Sequence, residues 1–181
     1  MARGAEPLEA PSAATGALPA RFGFGRPADS AEILRLEIDV LPDGSGLPPG
    51  RGTVARGARI YRGSCASCHG ATGREGPFDP LVSPPGEREF PTSLRPAGPL
   101  TVGNYWPRAT SLFEYVARAM PMHAPGTLDA DEVYAVVAWI LHRNGVIEED
   151  DVIDRETLPR VPMPGRSRFV VDDRTGGATI R

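Results

Sequence analysis

Only two cysteines occur in the 181 residues, Cys65 and Cys68, and a histidine follows the second at once in Cys65-Ala66-Ser67-Cys68-His69. Two thiols on one helical turn can form thioethers with the two vinyl groups of a porphyrin, and the adjacent imidazole then faces the iron. This is the attachment signature of c-type haem. A structural disulfide would need no histidine and more often joins distant segments. A zinc site needs two further ligands at close spacing, yet only His123 and His142 remain, far along the chain. A thioredoxin-like pair needs a strand-and-helix context that the Gly-rich surroundings lack.

An iron held by His69 takes a sixth ligand or stays open to exogenous molecules. The candidates are Met120, Met122, His123, His142 and Met163. Met120 is the choice, because a methionine directly before Pro121 at a helix exit sets a thioether on a rigid turn, 51 residues after His69. Met163 reads best as core filler, and His123 and His142 as ordinary surface or core histidines. Ligation by His123 would lower the reduction potential relative to Met/His ligation. With both axial positions filled by protein, the site carries electrons and performs no catalysis of its own. The second ring nitrogen of His69 should donate to a backbone carbonyl, with Pro77 or Pro80 as the expected acceptor. Tyr105, Trp106 and Arg108 stand just before the Met-bearing helix and are the expected donors to the haem propionates, loop packing being the plainer reading for Trp106.

The elements that must position these groups are legible in the hydrophobic pattern. A helix is expected from Thr53 to about Gly63, with Gly57 marking a close approach to another helix. A second should start at Thr110 or Ser111, where Ser111 and Glu114 have capping-box spacing, and end at Pro121. A third is expected from the N-cap Asp129 to Gly145, with Val133, Val136, Val137, Ile140 and Leu141 on one face. It should pack on the Gly57–Tyr61 helix. Residues 70–108, dense in Gly and Pro, read as a loop wrapped round a prosthetic group.

Residues 1–52 read as an extended N-terminal arm, 53–146 as the haem domain and 147–181 as a C-terminal tail. The piece from Ala31 to Val40 fits a short helix or a strand equally. The acidic run Glu148–Asp154 reads as a solvated face, with a docking patch as the sharper alternative. All 20 basic residues are Arg, dispersed among 23 acidic ones for a net charge of −3, so no stripe suits nucleic acid. The longest apolar stretch, near Val133–Leu141, falls far short of the roughly 20 residues of a membrane span. The 21 Gly and 20 Pro imply much loop and few long elements.

These residues resemble a monohaem class I cytochrome c over about 53–146, through the Gly57/Tyr61 helix, the Cys65–His69 motif, the Met120-Pro121 turn and the aromatic-bearing last helix. A narrower match runs through Val102-Gly103-Asn104-Tyr105-Trp106-Pro107-Arg108-Ala109-Thr110-Ser111-Leu112-Phe113-Glu114-Tyr115, Arg118-Ala119-Met120-Pro121, Ala124-Pro125-Gly126 and Asp131-Glu132-Val133-Tyr134-Ala135. Together with Gly25-Arg26-Pro27 and the stretch from Ile38-Asp39-Val40 to Gly50, it is similar to the cytochrome subunits of bacterial sulfite dehydrogenases and of the Sox sulfur dehydrogenase. The resemblance implies an all-α class I cytochrome c fold around one covalent haem c, with extended arms that wrap a partner. It further implies a periplasmic electron acceptor on a molybdenum-cofactor dehydrogenase subunit, which oxidises sulfite or sulfane sulfur with water as oxygen donor. A downstream c-type cytochrome would take the electrons. The Sox subunit commonly carries a second haem domain. The single motif here points instead to the single-haem sulfite dehydrogenase type or to a stand-alone relative.

Haem attachment in bacteria follows export, and residues 1–20 lack an apolar signal core, so a signal peptide is expected upstream of Met1. Two readings of other classes compete: a haem peroxidase-like or small-ligand-sensing protein with a displaceable Met120, and a haem-free thiol or metal module on Cys65 and Cys68.

Overall fold

The computed structural model describes residues 24–36, 39–84 and 98–170. Residues 1–23 of the expected arm, Ile38, and residues 171–181 of the tail lie outside them. The chain divides into two units, Met1–Leu36 and Glu37–Arg181. In the first, α1 spans Ser30–Leu36, which resolves the open choice for Ala31–Val40 in favour of helix over that span. Its start is a reciprocal cap: the Glu32 amide donates to Asp29 Oδ1 at 2.9 Å and the Asp29 amide to Glu32 Oε2 at 3.0 Å.

The second unit is built on four helices, α2 (Val54–Ser64), α3 (Ala66–His69), α4 (Ala109–Ala119) and α5 (Ala130–Arg143). The capping box at the head of α5 is present as expected, with Asp129 and Glu132 bonded both ways. Every residue from Val133 to Leu141 is buried, so this helix is the central post of the core. Each large apolar side chain so buried contributes about 1.5–3 kcal/mol. Against it lies α2, where Gly57 permits the expected close approach, and Tyr61 stacks on Trp139 with ring centroids 3.8 Å apart. From the other side, α4 brings Phe113 to within 4.5 Å of Tyr134. No helix among the described residues is long and apolar enough to cross a membrane.

Helix α4 begins at Ala109, earlier than the Ser111–Glu114 spacing suggested, and its N-cap Arg108 makes no side-chain cap. The earlier start puts Ala109, Leu112, Phe113 and Val116 on one buried face. That burial outweighs a local cap, which contributes about 1 kcal/mol. Glu114 instead pairs with Arg118 at 3.2 Å, and Arg118 also reaches Asp39 at 2.8 Å.

Segments read as arm and tail enter this same core. Val40 and Leu47 are buried in it, as are Ile153, Leu158 and Met163. A short ribbon not expected from the pattern joins the two ends: β1 (Arg51–Thr53) pairs antiparallel with β2 (Val152–Asp154), Gly52 opposite Ile153. Gly52 fits because a side chain there would run into α5, a Cβ lying 2.0 Å from the Ala135 amide nitrogen. The alternation of the sequence could not signal strands of three residues. Farther on, Gly165 lies against the carbonyls of Tyr105 and Trp106. In the acidic run, Glu148 to Asp151 are exposed.

Candidate metal centre

Helix α2 ends where Cys65 turns out of helical geometry, and the single turn α3 then carries Cys68 and His69. Both thiols are free and half-buried; burial, with the neighbouring Cys68, pushes the Cys65 thiol up to about 11. The chain after the motif folds straight back over it. Phe78 donates its amide to the Cys68 carbonyl at 3.1 Å. Gly76 is what lets the backbone pass, since a Cβ there would sit 1.9 Å from that same oxygen. The Tyr61 hydroxyl closes the top by donating to the Gly70 carbonyl at 2.9 Å.

His69 Nδ1 lies 2.9 Å from the carbonyl oxygen of Asp79. The acceptor is thus neither Pro77 nor Pro80 but Asp79, directly before Pro80. A residue preceding proline is disfavoured from helical geometry. With the proton on Nδ1, Nε2 keeps the lone pair a metal requires.

Of the sixth-ligand candidates, Met120 is the C-cap of α4, extended at φ −119° and ψ 149° ahead of Pro121, and packs partly buried on the core. Met122 is 60% exposed and His123 is exposed. Met163 is buried as core filler. His142 Nδ1 faces the Ile147 carbonyl at 3.3 Å. Among the described residues, no three His, Cys, Asp or Glu side chains converge as a metal cluster.

Three buried polar atoms find no partner among the described residues: Arg74 Nε, Arg108 Nε and Thr110 Oγ1. Orphaned donors of this kind cost free energy unless a bound group satisfies them. Two of the three stand where the chain enters the Met-bearing helix, and the third follows the cysteine motif. Residues with two free thiols, an oriented imidazole, a thioether and unsatisfied donors fit a covalent haem with acidic substituents. Of the three expected propionate donors, Arg108 has this character. Trp106 packs edge-on against Tyr115 at 5.7 Å and Tyr105 edge-on against Phe169 at 5.6 Å. Arg74 and Thr110 went unnoticed in the sequence because nothing local marks their burial.

Comparison with known proteins agrees with this chemistry. The family model described as cytochrome C oxidase, cbb3-type, subunit III matches residues 52–140. The crystal structure of the sulfane dehydrogenase SoxCD from Paracoccus pantotrophus contains a chain 39% identical, with a TM-score of 0.71, over 85% of this chain and 74% of that one. Among curated proteins, none matches.

Proposed function

This chain belongs to the c-type cytochromes, an electron-transfer protein with covalent haem c, and on that premise we propose that it is the electron-accepting subunit of a molybdenum-cofactor dehydrogenase acting on sulfite or sulfane sulfur. The observation that carries the reading is the 39% identity, over most of both chains, to a chain of a sulfane dehydrogenase. Oxidising a sulfur centre with water as oxygen donor releases electrons in pairs, and this chain takes them singly. A downstream c-type cytochrome in the periplasm is the acceptor.

Within the chain, Cys65 and Cys68 would hold the haem through two thioether bonds, and His69 Nε2 and the Met120 sulfur would ligate its iron. Haem so bound supplies a one-electron iron(III)/iron(II) couple. The Asp79 carbonyl keeps the His69 ring in one orientation and one tautomer. Pro121 and the core contacts of Met120 hold its thioether at the exit of α4. Arg108, with Tyr105 and Trp106 just before it in the chain, would meet the acidic haem edge. With His69 and Met120 both as ligands, substrate would have no route to the metal.

The test is a visible spectrum of the haem-loaded chain, oxidised and then mixed with sulfite in the presence and absence of a molybdenum dehydrogenase subunit. A weak far-red band in the oxidised form, with reduction only when enzyme and sulfite are both present, is the expected result. Reduction by neither arm would remove the sulfite assignment, and rapid cyanide or carbon monoxide binding at neutral pH would favour the ligand-sensing alternative.

A further inference from the structure

The chain on the His69 side of the centre and the chain leading to Met120 meet at one buried side chain. Asn144, the C-cap of α5, is 6% exposed. Its Oδ1 accepts from the Ser83 amide at 3.0 Å, and its Nδ2 donates to the carbonyls of Leu81 at 3.1 Å and Ile140 at 2.8 Å. Leu81 and Ser83 follow closely on Asp79, the acceptor for His69. The Leu81 and Val82 amides both donate to the Gly73 carbonyl, which fastens this stretch to the loop covering the cysteine motif.

The Met120 side presses on the same carboxamide. A Cβ built on Gly103 would lie 2.3 Å from Asn144 Oδ1. Next to it, the Val102 amide donates to the Leu81 carbonyl at 3.1 Å, and the Ser83 and Thr101 hydroxyls bond at 2.5 Å. Asn104 Oδ1 accepts from the Thr101 amide at 2.8 Å. Residues 105–108 then lead directly into α4. No apolar side chain could replace Asn144, because the Ser83 amide would be left buried and unpaired, at a full desolvation cost.

We propose that Asn144 is a positioning residue for the axial pair, locking the His69-side loop to the Met120-side loop so that the Met120 sulfur resists displacement. The inference rests on His69 and Met120 being the axial ligands.

Imidazole titrated into the oxidised, haem-loaded chain competes with the Met120 sulfur, so its apparent affinity reports how often that sulfur is off the iron. In Asn144→Asp, which keeps the shape but loses both Nδ2 donations, apparent imidazole affinity is expected to rise threefold or more. Gly103→Ala disturbs the same contact from the other side with every polar group intact, and should do likewise if Asn144→Asp fails to mature. Val137→Ala, a truncation elsewhere in the buried face of α5, should lower the unfolding midpoint and leave imidazole affinity unchanged. A rise below threefold in the variants that mature, or an equal rise in Val137→Ala, overturns the proposal. Met120→Ala, run in parallel, should abolish the far-red band; a retained band overturns the axial assignment itself, which is a separate failure.

Discussion

Gly57 of α2 and Ala135 of α5 meet backbone to backbone, so closely that a Cβ on Gly57 would lie 1.8 Å from the Ala135 carbonyl oxygen and 2.9 Å from Trp139 Cβ. Backbone cannot yield as a flexible side chain can. The contact therefore fixes how near the helix preceding the cysteine motif comes to the central post, and with it where Cys65 stands. Gly57→Ala should destabilise the haem-loaded chain by about 3 kcal/mol, the upper part of the range for overpacking. Guanidinium unfolding followed by circular dichroism checks this, and an unchanged midpoint would mean that the helices separate freely.

Met120→His should keep a six-coordinate centre and lower its reduction potential, since imidazole in place of thioether stabilises iron(III). Met122→Ala, at a side chain 60% exposed, should leave both potential and far-red band as they are. Redox titration of the two variants separates the candidates; a band lost in Met122→Ala would reverse the assignment.

With Arg108 at the haem edge as proposed, Arg108→Gln should also lower the potential, because removing a positive charge there favours the more positive oxidised state. Protein-film voltammetry reads this directly. An unaltered potential would place the Arg108 side chain away from the haem edge.

The segment after α5 is held by its own packing. Leu158 is fully buried, and β2 is paired with β1. Leu158→Ala should cost about 2–5 kcal/mol, seen as a lower thermal midpoint of the isolated, partner-free chain. If the midpoint does not move, this part of the tail gains its order only on a partner, as an extended arm would.

Asp131 accepts the Arg51 amide at 2.8 Å and pairs with Arg56 at 3.1 Å, and these contacts, the amide bond foremost, hold its carboxyl below the usual carboxylate range. A depressed carboxylate stabilises the fold above its unfolded pKa of about 3.9 and loses that contribution as the pH falls through the lower folded value. Stability should therefore drop below about pH 4. Asp131→Asn should flatten that limb, and the difference should shrink in high salt, as exposed charges are screened. Urea midpoints measured from pH 6 to pH 2.5 test it.

Much of the site was readable because it is local chemistry. Cys65, Cys68 and His69 fall within five residues, Cys65 capping the single turn that carries the other two, Met120 is tied to a helix exit by Pro121, and α5 announces itself through its capping box and apolar periodicity. These are contacts within four residues, which the chain order encodes directly. The acceptor for His69, the start of α4 and the fate of the two flanking segments are of another kind. Each depends on residues distant in the chain: β1 finds β2 a hundred positions away, Asn144 joins loops at Ser83 and Gly103, and Leu158 takes its place against α4. Amino-acid order alone determined that a covalent haem with a histidine and a methionine on offer belongs here. Only the tertiary structure decided which carbonyl orients the histidine and which buried side chain ties its loop to the methionine's, because burial and hydrogen-bond partners belong to the packed whole.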